Sequence, residues 1–240
     1  MAETHHADGE LWDLEQLAAA GSLCDWMFSQ VADAVGPTVA EVGAGIGTFT
    51  GRLLDAGAER VLAIEPEPAC ADELGRRFGA DPRVSVARET LPSSPSLRAL
   101  AESCDLVLCQ NVLEHIEDDA AATEAMARAV RPGGTLLVLV PAHPRLYGAL
   151  DRNYGHFRRY DRERLERVVT GAGMRLDRLY SFNLLGIAGW WAKNRRGDGA
   201  IGAGSLRAYE ALLKVWRPIE DRVELRFGLS LIARAGKPAG

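Results

Sequence analysis

Short apolar runs alternate with segments of helical period along most of this chain. Thr38–Val42, Val61–Ile64, Val84–Ala87, Leu106–Cys109 and Thr135–Val140 are brief and mostly apolar, as expected of strands buried on both faces. Between them, Phe49–Ala56, Pro68–Phe78, Ser96–Ser103 and Ala120–Val130 read as helices, closed by Gly57, Gly79 and Pro132-Gly133-Gly134. Ahead of the first strand, Leu11, Leu14, Leu17, Leu23, Trp26, Met27 and Val31 recur at helical spacing and predict one or two leading helices. Beyond the fifth strand come a helix over Arg162–Ala172, a strand over Leu176–Ser181 and a last strand over Leu229–Ala233. Strand–helix alternation of this kind predicts an α/β fold with a mostly parallel sheet covered on both faces. The last two of its seven strands are held apart by a helical insertion, with Leu206–Trp216 as its clearest helix and Gly197–Gly204 as a hinge. The chain divides into leading helices (1–35), a core (36–181), a cap insertion (182–227) and a final strand with its tail (228–240).

At 240 residues this is one sizeable core and not two ordinary domains. A formal net charge of −5 argues against nucleic acid as partner. No run of about 18 apolar residues is present, so no membrane-spanning segment is expected. The polar, acidic stretch Met1–Glu10 has no apolar signal region, which predicts a cytoplasmic protein. Cys24, Cys70, Cys104 and Cys109 follow no zinc or disulfide spacing and read as reduced core thiols.

The main chemical signal is Val39-Ala40-Glu41-Val42-Gly43-Ala44-Gly45-Ile46-Gly47-Thr48, between the first strand and the first helix of the alternation. Glycines at 43, 45 and 47 permit a sharp turn and close approach of a ligand. The free N–H groups opening the next helix favour a ligand carboxylate or phosphate. A dinucleotide fingerprint would need glycine at position 48, where Thr48 stands, so a nicotinamide oxidoreductase is excluded. Glu65, which closes the second strand, is placed to accept hydrogen bonds from both hydroxyls of a ribose.

Glu41–Gly47, Glu65-Pro66, Asp105–Ile116 (DLVLCQNVLEHI) and Arg131-Pro132-Gly133-Gly134-Thr135 together resemble the class I methyltransferases that use S-adenosylmethionine, over about residues 20–180. The resemblance implies a Rossmann-like core, S-adenosylmethionine as cofactor and a small-molecule methyl acceptor. It implies cofactor contacts from Glu41, Gly43, Gly45, Gly47, Glu65 and Pro66, with Glu89 as the adenine partner although Val86–Thr90 departs from the usual Gly-Asp pattern. It also brings Asn111, Val112 and His115 to the cofactor cleft; the competing reading has Asn111 capping the next helix and His115 at the surface.

Pro141–Tyr160 (PAHPRLYGALDRNYGHFRRY) is similar to a bacterial subgroup with a Pro-x-His-Pro loop and a His-x-Arg-Arg-Tyr stretch, at the sheet end where α/β folds bind ligands. His143 and His156 are the candidate general bases, and Tyr147 and Tyr160 the candidate substrate contacts, against a reading in which Arg158, Arg159 and Tyr160 only pin the loop. Glu114, His115 and Asp118 place two carboxylates and an imidazole close together. With Asn111 beside them the oxygen set is poor for Mg²⁺, so the group is read as a solvated helix start and no metal is expected.

The insertion, with Leu184, Leu185, Ile187, Trp190 and Trp191 ahead of Lys193, Arg195 and Arg196, is a candidate lid, homodimer contact or lipid-facing surface, the first two being favoured. The function expected is methyl transfer to oxygen or nitrogen of a small molecule in a biosynthetic pathway. The alternative is a relative that binds the cofactor without transferring methyl, in a binding role or another reaction such as a cyclisation.

Overall fold

The computed structural model describes residues 18, 20–196, 203–223 and 225–239, with the backbone alone for 191–196 and 203–207. Leu11, Leu14 and Leu17 of the leading helices, and residues 197–202 of the glycine hinge, lie outside the described residues.

Seven strands form one sheet in the order β3-β2-β1-β4-β5-β7-β6. They are β1 (Thr38–Val42), β2 (Arg60–Ile64), β3 (Val84–Ala87), β4 (Cys104–Gln110), β5 (Val130–Pro141), β6 (Arg175–Phe182) and β7 (Ser230–Gly236). The first five run parallel, while β7 pairs antiparallel with both β5 and β6. The expected mostly parallel sheet is therefore present, with the strand last in sequence inserted between the two before it.

Nine helices are described: α1 (Gly21–Ser29), α2 (Thr48–Asp55), α3 (Pro68–Phe78), α4 (Pro95–Ala99), α5 (Asp119–Ala129), α6 (Ala149–Asn153), α7 (Arg162–Gly171), α8 (Leu184–Arg196) and α9 (Ala203–Glu220). The two faces of the sheet bury separate cores. One packs Leu97, Ala122, Met126, Leu165 and Val169 from α4, α5 and α7 onto Val107, Leu136 and Val138. The other packs Trp26, Phe49, Leu53 and Leu213 from α1, α2 and α9 onto Val39, Leu108 and Leu137. Every residue of β1 is buried, which is why its sequence lacks the polar alternation of a one-sided strand. Helices α8 and α9 fill the stretch between β6 and β7, and the Trp26 indole N–H bonds Asp221 just past α9 at 2.8 Å.

Several boundaries differ from the sequence expectation, two of them for reasons visible in the backbone pairing. Helix α4 stops at Ala99 because the backbone of the next turn is taken by α5: Glu102 N donates to Arg128 O and Ser103 N to Ala129 O. Strand β5 starts at Val130, which pairs with Cys104 ahead of an irregular step in the ladder, and Gly133 sits in that step at φ 74°. Among the described residues no helix is long and apolar enough to cross a membrane.

Candidate active site

The glycine turn leaves the carboxyl end of β1 and enters α2, with Gly43, Gly45 and Gly47 at φ 73°, 55° and 83°. These values are costly for any residue with a Cβ. A methyl group on Gly43 would also run into Val112, and one on Gly47 into Phe78 and Leu74. Gly43 N and Ala44 N both donate to Ile64 O, at 2.8 and 3.0 Å, locking the turn onto the end of β2.

There Glu65, buried, accepts from Gly45 N at 2.7 Å through one oxygen and from Glu67 N at 2.9 Å through the other. These two backbone bonds fix the carboxylate against the turn. Glu41, also buried, accepts from Thr50 Oγ1 at 2.5 Å. Loss of water pushes the Glu41 carboxyl up to about 8; the Thr50 bond opposes this and the nearby Glu65 carboxylate adds to it. Two acids thus flank one tight turn of backbone N–H groups, a setting suited to a ligand with hydroxyls and a cationic end.

The other wall is built from the end of β4 and from residues 141–160. Asn111 takes φ 53°, a conformation asparagine tolerates, and its N–H donates to Leu139 O at 2.8 Å. It caps no helix: the next helical turn, Leu113–His115, is preceded by Val112 and has no side-chain cap. Val112 lies directly against Gly43. Past β5, His143 is at φ 61°, a strained value for a residue with a side chain, and its N–H donates to Tyr160 O. Its ring stacks on Phe227 at 5.7 Å. Asp151 is fully buried in α6 and organises the rest of this loop. Its Oδ1 meets His156 Nδ1 at 2.9 Å and accepts from Arg159 Nε at 2.7 Å, while its Oδ2 accepts from Gly148 N at 2.9 Å. Burial alone would raise the Asp151 carboxyl, but these partners hold it below the usual carboxylate range.

Several polar atoms here are buried without a partner among the described residues: both side-chain ends of Gln110, one oxygen of Glu114, Nε2 of His143 and the indole N–H of Trp190. Groups of this kind normally find partners, so several together at one end of a sheet mark a place where a ligand supplies them. Desolvation pushes the Glu114 carboxyl up to about 8. His115 keeps a solvent-exposed face, yet loss of water around its ring and the edge-on His156 ring at 4.6 Å hold it below the ordinary imidazole range.

The structure thus gathers Glu41, Gly43, Gly45, Gly47, Glu65 and Val112 at one turn, and His115, His143, His156 and Tyr147 along the adjoining loops. Pro66 is exposed just past β2. Glu89 stands two residues past β3 and accepts from Ser94 Oγ, Ser96 Oγ and Ser96 N at 2.5, 2.7 and 3.0 Å. Burial works against its charge, but these bonds hold the carboxyl below its usual range.

Tyr147 donates to His156 O at 2.7 Å and keeps an exposed face. Tyr160 has no exposed surface: its hydroxyl donates to Asp119 Oδ2 at 2.9 Å, and it pins the loop in place of meeting a substrate. Arg158 and Arg159 do the same through Ile116 O, Glu117 O and Ala142 O. Sequence context does not single out Gln110 or Asp151, and it marks Trp190 only as part of the apolar patch of the insertion. The one signal available was an amide closing the apolar run of β4.

A family model described as methyltransferase domain matches residues 40–138. An uncharacterised methyltransferase of Mycobacteroides abscessus is 35% identical over 115 residues, 47% of this chain and 43% of its own length. The chain therefore spans less than half the length of that relative. Among solved structures, the fold is similar to a Haloferax volcanii complex of the Trm112 methyltransferase activator with a putative methyltransferase (TM-score 0.63, 17% identity, covering 96% of this chain and 97% of that one). It is also similar to the [4+2]-cyclase SpnF (TM-score 0.56, 17% identity, covering 88% and 82%). Residues 40–138 thus match a methyltransferase domain, and the glycine turn with its paired acids and the seven-stranded sheet make the fold similar to that of the class I S-adenosylmethionine-dependent methyltransferases.

Proposed function

We propose that this chain transfers the methyl group of S-adenosylmethionine to an oxygen or nitrogen atom of a small molecule in a biosynthetic pathway. The observation that carries the proposal is the adjacency of two half-sites. Glu41, Glu65 and the turn between them form one; the buried, unpartnered polar atoms of Gln110, Glu114 and His143 form the other. Glu65 would take the ribose hydroxyls, the N–H groups opening α2 the amino-acid carboxylate, and Glu41 would line the amino-acid end of the ligand. Pro66, Asn111, Val112 and His115 would line the cofactor, with Glu89 toward the adenine.

The sulfonium already makes the methyl carbon electrophilic, so the protein's work is to exclude water and align the acceptor, which in well-oriented systems contributes up to roughly 7–11 kcal/mol. A hydroxyl or ammonium acceptor must also lose a proton. His156, oriented by Asp151, and His143, held on a strained backbone, are the imidazoles placed to take it. Tyr147 would sit at the substrate entrance, and the 182–227 insertion would close over it, since Trp190 lies over the Arg159 guanidinium at 4.4 Å and near Tyr154. The outward apolar residues Leu212, Val215 and Ile219 of α9 are the homodimer contact on this reading. Four buried cysteines outside any disulfide accord with a cytoplasmic setting.

Calorimetry with S-adenosylmethionine and S-adenosylhomocysteine tests the first half-site. Binding is expected for both, weakened at least tenfold in Glu65→Ala; equal affinity in that variant overturns the assignment. Incubation with methyl-labelled cofactor and panels of phenols, sugars and amines tests the second. Binding without labelled product across those panels would favour the non-transferring alternative, a role that the likeness to a cyclase fold does not by itself support.

A further inference from the structure

We infer that Glu114, His115 and His156 form a binding site for a divalent transition-metal ion of the zinc class, beside the acceptor half-site. One ligand atom from each lies within 4.8 Å of the others, although the residues come from two separate segments. Glu114 and His115 belong to the turn after β4, and His156 follows α6. The Phe157 N–H donates to Glu114 O at 2.8 Å and ties the two segments together at this point.

Proximity alone would be a weak reason. The second observation is that one oxygen of Glu114, a residue only 1% exposed, is buried with no hydrogen-bond partner among the described residues. The Arg159 charge acts on this carboxyl from nearby, but that oxygen itself is met by no donor, and the two imidazoles beside it are ordinary co-ligands for an ion. The third is the outer shell. Metal-bound histidines usually give their second ring nitrogen to a carboxylate or a carbonyl, which fixes tautomer and ring orientation. His156 does this with Asp151 Oδ1 at 2.9 Å, leaving Nε2 for an ion, and His115 has a backbone hydrogen bond with Tyr154. Asp151 is itself fixed by Arg159 and by Gly148 N.

The donor set selects the ion. Two nitrogens and one carboxylate suit zinc and its neighbours, whereas Mg²⁺ and Ca²⁺ prefer oxygen ligands. Three protein ligands with an open position is the pattern of catalytic and not structural zinc. Zinc–nitrogen bonds of about 2.0–2.1 Å would require the three side chains to draw inward by roughly an ångström, and two of them stand on irregular backbone. The expectation from sequence that no metal is bound weighed Asp118 as the third ligand. In the structure Asp118 instead caps α5 through Ala121 N at 2.9 Å, and the third place falls to His156.

The catalytic consequence rests on the proposed methyl transfer. An acceptor hydroxyl in the open position would be held and acidified by the ion, with His156 as ligand and His143 left to take the proton. The site itself can be tested without turnover. Protein stripped with a chelator is titrated with zinc against a chromophoric competitor, and with cobalt(II) by visible absorption. One equivalent should bind, and the cobalt form should show the intense bands of a low-symmetry four- or five-coordinate site. His115→Ala, on the exposed edge and safe for folding, and Glu114→Gln should each weaken binding at least tenfold. Asp151→Asn should weaken it 10- to 100-fold through the outer shell. Absence of stoichiometric uptake, or uptake unchanged in His115→Ala and Asp151→Asn, overturns the site. Cofactor calorimetry on the same samples reads the methyltransferase assignment separately, so that either can fail alone.

Discussion

Glu41 places a titration in the fold that the rest of the turn must accommodate. In the folded chain its carboxyl keeps a proton up to about pH 8, against an ordinary value of 4.5. Between those values the folded state binds more protons than the unfolded state, so this group's contribution is fully present below about pH 4.5 and is lost as pH rises through 8. The ligand-free protein should therefore lose stability across that window, by at most about 1.4 kcal/mol per pH unit for one group. Denaturant titrations from pH 5 to 9 should show a shallower fall for Glu41→Gln. An identical slope would mean the carboxyl is already ionised in the fold. Gly43 makes the opposite demand, for space. A Gly43→Ala methyl meets Val112 at a φ of 73°, so a loss of about 1–3 kcal/mol is expected in the same unfolding assay. Cofactor affinity should fall with it, because the side chain that must move lines the cleft.

The loop between β5 and α7 shows what a linear sequence conceals at the scale of elements. The strands were legible because β1, β4 and β5 are buried on both sides and their apolar runs need no partner to be recognised. The glycine turn was legible because its chemistry is local. Asp151 was not, since its importance comes from meeting His156 and Arg159 across a short helix that no periodicity announces. Tyr160 read as a ligand contact because its segment is polar and aromatic. Its burial depends on Asp119, 41 residues away, and on the bridge between its backbone and Ala142. The Asp151–Arg159 pair has almost no solvent contact, so removing Arg159 leaves a buried carboxylate with only His156 and the Gly148 N–H beside it. Arg159→Leu should lower stability by about 3–5 kcal/mol, far more than loss of an exposed pair such as Arg167–Glu163. Thermal unfolding of the two variants side by side checks this, and equal effects would mean water reaches the loop.

For the molecule as a whole, the parallel half of the sheet carries the turn proposed for the cofactor and the antiparallel end the loops proposed for the acceptor, with β4 and β5 shared between them. A ligand bound at their junction stabilises the whole unit. At a hundredfold excess over its dissociation constant the cofactor should add about 2.7 kcal/mol. For a chain of this length that is a rise in melting temperature of about 2–4 °C per kcal/mol. The rise should be absent in Glu65→Ala at the same concentration, and a full shift there would relocate the site.

The position of β7 has a bearing on how the polypeptide is made. On the ribosome β6 emerges with no neighbour to zip onto, because its partner among the described residues is a strand encoded some fifty residues later. Until residues 230–236 clear the exit tunnel, β5 and β6 both carry raw, unpaired borders, and the nascent chain is open to sticking to its fellows. Arrest peptides placed before and after that segment should report a late pulling event only once it has passed into solution. Truncation short of Ser230 should yield aggregates even though every residue discussed as a ligand contact would already have been synthesised.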